Sequence, residues 1–151
     1  MRGAVKLYAV KTRTIKVGDS LVEIILESLK AQNLQLEDND VVALTSKIVS
    51  YSESRLAKIS EIKPSEKAKE LAKQFMLKPE FAELILREAD KICGGVEKAV
   101  LTLKQGMMTA NAGIDNKNTA TDYAILWPKD PPKSAKEIRA FLRVLAGSTL
   151  V

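Results

Sequence analysis

The chain has no histidine and a single cysteine among its 151 residues. Without imidazole there is no His-based metal site, no Ser-His or Cys-His nucleophile pair, and no histidine acid–base work near neutral pH. One cysteine cannot close a disulfide within the chain, which suits a reducing cytoplasm. No apolar run approaches the ~18 residues that would cross a bilayer. The start, Arg2-Gly3-Ala4-Val5-Lys6, carries charge into its apolar stretch, unlike a signal peptide. Carboxylates, Lys, Arg, hydroxyls, amides and the backbone must carry any chemistry.

What is present looks like ordinary globular usage. Apolar residues make up 46% and charged residues 28%, which excludes a disordered or fibrous chain. The length suits one domain, 1–151, with a real core. The 24 basic and 19 acidic side chains leave a net charge of +5, a weak preference for anionic partners. Because the bases are interleaved with acids, as in Lys67-Ala68-Lys69-Glu70, they read as a solvated surface rather than a nucleic-acid patch.

Patterning predicts an α+β fold: a mixed sheet with helices at about 19–32, 65–76, 79–89 and 134–146. Ser20 with Glu23, and Ser134 with Glu137, form capping-box pairs, and Pro64-Ser65 and Pro79 open the two middle helices. Gly147 is the natural stop of the last helix. Val5 to Lys16 reads as a β-rich opening that ends in a half-buried strand or extended arm. Val41-Val42-Ala43-Leu44 reads as a buried strand, Ile92-Cys93-Gly94-Gly95 as a turn, and Val100–Leu103, Met107–Ala110 and Tyr123–Trp127 as strands. Asp130-Pro131-Pro132-Lys133 reads as a rigid connector. Cys93 reads as a small buried thiol, Met107 and Met108 as core fillers, and Trp127 as a packed strand-end aromatic. The last residues, Ser148-Thr149-Leu150-Val151, look like a strand barely begun, so the domain reads as cut or as reliant on a second chain.

Two polar constellations interrupt this pattern. Thr45-Ser46-Lys47, running on to Arg55, supplies hydroxyls, N–H groups and an ammonium at a strand exit. These could converge on a phosphate, or simply satisfy a turn. Asn111-Ala112-Gly113-Ile114-Asp115-Asn116-Lys117-Asn118 offers a hard carboxylate oxygen and amides suited to a purine edge or ribose, or an ordinary Asx turn.

Together these residues resemble the F420-0:γ-glutamyl ligase family. The resemblance rests on Ile15-Lys16-Val17-Gly18-Asp19, Thr45-Ser46-Lys47-Ile48-Val49-Ser50, Glu53 with Arg55, and Pro64-Ser65. It continues through Ala110-Asn111-Ala112-Gly113-Ile114-Asp115 with Asn118, and Asp130-Pro131 with Ser134-Ala135 and Ile138-Arg139. It implies a fold like the N-terminal domain of that ligase, cytoplasmic and homodimeric. It also implies a GTP- and Mg- or Mn-dependent amide ligation of L-glutamate to the coenzyme F420 precursor through an acyl phosphate. By the same resemblance, Thr12, Arg13, Thr14, Ile15, Ser46, Lys47 and Asn118 contact GTP, and Asp115 binds the metal.

Departures accompany the match. Tyr51 stands where the family has a Lys, Ser52-Glu53-Ser54-Arg55 replaces an Ala-Glu-Gly-Arg turn, and Lys117 replaces a Ser. Family members also run on into a portion bearing an Asp-Thr pair and an amide that complete the metal site. The expectation is therefore a ligase inactive without a C-terminal partner, which a separate chain could supply. The alternative is a non-catalytic homologue acting as a nucleotide-binding or assembly module.

Overall fold

A computed structural model describes residues 5–116 and 122–146. The chain forms two compact units, Met1–Ser54 with Asp130–Val151, and Arg55–Lys129.

In the first unit, α1 (Leu21–Ala31) starts at Ser20, whose hydroxyl accepts the Glu23 N–H at 3.4 Å. Leu21, Ile25 and Leu29 recur at helical spacing and bury against Val49 of α2 (Ser46–Ser52) and Leu142 of α5 (Pro131–Ala146). No strand forms over 41–44. Val42 and Leu44 half-bury against this cluster while Val41 is 80% exposed, so a period-two pattern is satisfied by packing on helices, with no ladder. Residues 5–16 are likewise irregular and mostly exposed. The Gln32 side-chain amide exchanges two hydrogen bonds with the Lys11 backbone (3.2 and 3.0 Å), taking the place of a neighbouring strand.

The last helix begins at Pro131, three residues before the predicted Ser134 cap. The Asp130 carboxylate accepts the Lys133 N–H at 3.0 Å, and the two prolines fill first-turn positions that need no N–H donor. What reads as a rigid connector is thus the helix start. Gly147 and residues 148–151 lie outside the described residues.

The second unit packs α3 (Glu66–Phe75) and α4 (Pro79–Glu88) over strands. Ala68, Leu71 and Phe75 of α3 meet Phe81, Leu84 and Ile85 of α4 in one core with Val100, Ala112, Ala124 and Leu126. The Ser65 hydroxyl caps α3 by accepting the Ala68 N–H (3.2 Å). Ser65 N and Oγ both donate to Glu83 of α4 (3.0 and 2.7 Å), and Arg87 donates to the other oxygen (2.8 Å). These donors hold the Glu83 carboxyl down at about 2, the Ser65 backbone N–H being the largest influence. A carboxylate whose folded pKa is depressed contributes stability above its ordinary pKa and loses it as pH falls towards the folded value. Thermal melts should therefore weaken between about pH 4.5 and 2, and Glu83→Gln should flatten that part of the profile. A wild-type profile that is flat there would remove Glu83 as a stabilising clamp.

Both sheets are antiparallel, where the sequence reading has a mixed one. In the three-stranded sheet, two-residue turns explain this, because they can only return a strand beside its predecessor. β2 (Lys91–Val96), β3 (Ala99–Lys104) and β4 (Met107–Ala110) form one sheet in that order. Gln105 and Gly106, at φ 50° and 75°, make the tight β3–β4 turn. The predicted turn at Ile92–Gly95 is instead strand, broken by a bulge between Ile92 and Gly94. Gly95 is required there, since a Cβ would lie 2.5 Å from Ala99 O. The bulge leaves Cys93 exposed. Met107 and Met108 are also exposed, at the hairpin's free edge rather than in the core. β1 (Leu56–Lys58) and β5 (Tyr123–Ile125) form the second sheet, with Leu56 opposite Ile125. Among the described residues, five α-helices and two antiparallel sheets satisfy the α+β expectation.

Candidate functional site

The first unit holds the predicted nucleotide contacts Thr12, Arg13, Thr14, Ile15, Ser46 and Lys47. Arg13 lies in the exposed arm and grips Asp19 with both terminal guanidinium nitrogens (2.6 and 3.1 Å). Asp19 also accepts the Lys16 N–H at 2.6 Å, and these bonds, with Arg13 foremost, hold its carboxyl at about 2. This turn is latched to the end of α2. Gly18 N donates to Tyr51 O (3.0 Å) and Ser52 Oγ donates to Asp19 O (2.7 Å). Ser46 and Lys47 stand in the opening turn of α2, whose N-cap Thr45 accepts the Lys47 N–H at 3.4 Å. Seven residues thus connect the two sets of predicted contacts through one short helix.

The second unit holds Asp115. Asn111, Ala112 and Gly113 take positive φ in succession (52°, 54°, 74°), a left-handed course that two non-glycine residues adopt at a cost. Three neighbours enforce it. Asn111 Oδ1 accepts the Val100 N–H (2.8 Å), Ala112 N donates to the buried Thr102 hydroxyl (2.9 Å), and the Trp127 indole lies against Gly113. The turn delivers Asp115 to Ile125, with which it exchanges both backbone hydrogen bonds (2.9 and 2.8 Å). The Asn111 side-chain oxygen is therefore committed to the fold. Trp127 packs at the strand end, as the sequence reading expects. Asn118 lies outside the described residues.

An ion cluster, buried at Lys104 and half-buried at Arg55 and Glu88, sits in the same unit. Arg55 Nη2 donates to Glu88 Oε2 at 2.7 Å, and Lys104 Nζ reaches the same oxygen at 2.5 Å. The Lys104 side chain is only 5% exposed. Burial pushes the Glu88 carboxyl up, but hydrogen bonds from Lys104 and Arg55 more than reverse this, so its pKa ends below the ordinary carboxylate value. Sequence reasoning placed Arg55 in a motif but missed Lys104. The period-two alternation of Val100, Thr102 and Lys104, all buried, carried the signal.

Asp115 fits a divalent metal as a single hard-oxygen donor on a pinned backbone. No group of three metal-ligating side chains exists among the described residues, so such an ion would draw its other ligands from phosphate, water or further residues. Likewise, no described helix is long and apolar enough to cross a membrane.

The sequence model described as F420-0:Gamma-glutamyl ligase matches residues 9–150. The chain belongs to the F420-0:γ-glutamyl ligase family. Three similar relatives carry the name coenzyme F420:L-glutamate ligase. That of Methanopyrus kandleri is 40% identical over 136 residues, covering 89% of this chain and 52% of its own length. That of Archaeoglobus fulgidus is 33% identical, covering 88% and 51%. That of Methanothermobacter thermautotrophicus is 32% identical, covering 90% and 54%. The chain thus spans about half the length of the curated relatives it matches.

Proposed function

We propose that this chain serves in a GTP- and divalent-metal-dependent ligase that joins L-glutamate to the coenzyme F420 precursor. The γ-phosphoryl group of GTP passes to a substrate carboxylate, releasing GDP. The glutamate amine then attacks the acyl carbon, phosphate leaves, and the amine proton is lost to solvent or base. A bound Mg²⁺ or Mn²⁺ would offset charge on the transferring phosphoryl. The observation that carries this reading is the enforced left-handed turn and paired backbone that fix Asp115 within a family-matching segment. Thr12–Ile15, Ser46 and Lys47 are the proposed nucleotide contacts, with Arg13 exchanging its Asp19 carboxylate for phosphate. The rest of the ligase, in the same polypeptide or a separate C-terminal chain, completes the metal site. Homodimerisation and a cytoplasmic setting belong to the same proposal.

Calorimetric titration with GTP and Mn²⁺ tests it. The 151-residue chain should bind, Asp115→Asn should bind at least about tenfold more weakly, and silence at millimolar ligand would count against the reading. The isolated chain should show no glutamate-dependent GDP release, because one carboxylate cannot hold a phosphoryl-transfer metal centre unaided.

One observation favours a second reading, a non-catalytic nucleotide-binding or assembly module: Tyr51 stands where a cation is expected. If Tyr51 has weakened the nucleotide site, Tyr51→Lys should tighten GTP binding.

A further inference from the structure

The ion cluster reaches the Asp115 segment through a single aromatic residue. Arg55 uses one nitrogen for Glu88 and another, Nε, to donate to Trp127 O at 3.0 Å. Its own carbonyl accepts the Leu126 N–H at 2.9 Å, so Arg55 holds this stretch by backbone and side chain together. Two residues on, Gln105 Nε2 donates to Lys129 O at 2.5 Å. The Trp127–Lys129 segment is thereby tied at two alternate carbonyls.

The other side of Trp127 faces the turn. A Cβ on Gly113 would stand 2.9 Å from both Cγ and Cδ2 of the indole, so the ring touches the Gly113 backbone directly. Gly113 lies two residues before Asp115 and Trp127 two residues after Ile125, which is the register of the Asp115–Ile125 bridge carried one step further. Ring and bridge grip the same short strand from both ends.

We propose that Arg55, Glu88 and Lys104 are positioning residues, which hold Trp127 so that its indole clamps the left-handed turn and fixes where the Asp115 carboxylate stands. Lys104 and Arg55 share Glu88, so the carboxylate is held from two sides and passes its orientation to the guanidinium. The functional consequence, though not the clamp itself, rests on the proposed role of Asp115 as a metal ligand. If the cluster served stability alone, removing Arg55 would loosen the whole unit, whereas removing a clamp loosens the one segment that Arg55 holds.

Trp127 is the chain's sole tryptophan, so its fluorescence reports this contact without interference. In the full chain, Arg55→Met leaves the Glu88–Lys104 pair in place. It should raise acrylamide quenching of Trp127 and speed hydrogen exchange of the Asp115 and Ile125 amides about tenfold, with the Ile85 amide in α4 unchanged. Arg55→Lys, which cannot span both partners, should fall between wild type and Arg55→Met. If Arg55→Met does not fold, Arg55→Gln, which also leaves the Glu88–Lys104 pair in place, is read the same way. Wild-type quenching and exchange in a folded variant would overturn the proposal, as would equal acceleration of Ile85 and Asp115. Asp115→Asn separates the two readings. If it leaves Mn²⁺–GTP affinity unaltered, the metal assignment fails while the clamp, measured by fluorescence and exchange, stands.

Discussion

Glu88→Ala is expected to destabilise the Arg55–Lys129 unit by about 3 kcal/mol, the lower end of what removing one partner of a buried ion pair costs. Both cations bond to the same Glu88 oxygen, and the Lys104 side chain is only 5% exposed. Deleting the carboxylate leaves a desolvated ammonium with its counter-charge gone. Arg55, at 24% side-chain exposure, can recruit water, which keeps the cost from the top of the range. Chemical denaturation followed by far-UV circular dichroism measures this directly. The diagnostic companion is Lys104→Met in the Glu88→Ala background, which removes the stranded charge and should recover a large part of the loss. A double variant no better than the single one would mean that the carboxylate packs there without balancing charge.

Gly113→Ala has the second large effect, about 2–3 kcal/mol, for two reasons that reinforce each other. At φ +74° an L side chain is strained whatever space is available, and here the new methyl would meet the indole at 2.9 Å. The ring must move, and with it the contact that holds the segment leading to Asp115. Melting temperature and Trp127 emission should therefore shift together, and GTP–Mn²⁺ affinity should fall beyond what the residual folded fraction explains. A variant with wild-type emission would show that the indole can yield without disturbing the turn.

The helices were readable because their signals are local. Ser20, Ser65 and Pro79 start α1, α3 and α4 within a residue or two of where their sequence marks stand. The errors arise where a distant partner decides. Val41–Leu44 has strand composition but meets helices, and Cys93-Gly94-Gly95 has turn composition but is drawn into a ladder by Leu101 and Val100. Ser134 makes a good capping box, yet Asp130 followed by two prolines nucleates a turn earlier. In the candidate site, Asp115 and the turn before it were legible from one contiguous string. The ion cluster was not, because Arg55, Glu88 and Lys104 are 16 and 33 residues from their partners. A lysine closing a strand looks like a solvated end until the inward face is counted from Val100.

The arm bearing Thr12 to Ile15 has a consequence for how a nucleotide would be held. Upstream of Arg13 the Gln32 side chain holds its backbone at Lys11, and Val5 and Leu7 are over nine-tenths exposed. Such a stretch opens at little free-energy cost while α1 and α2 stay formed. Any guest it wraps would therefore be captured by chain ordering, with an unfavourable entropy in calorimetry and a residence time set by how quickly the arm peels away.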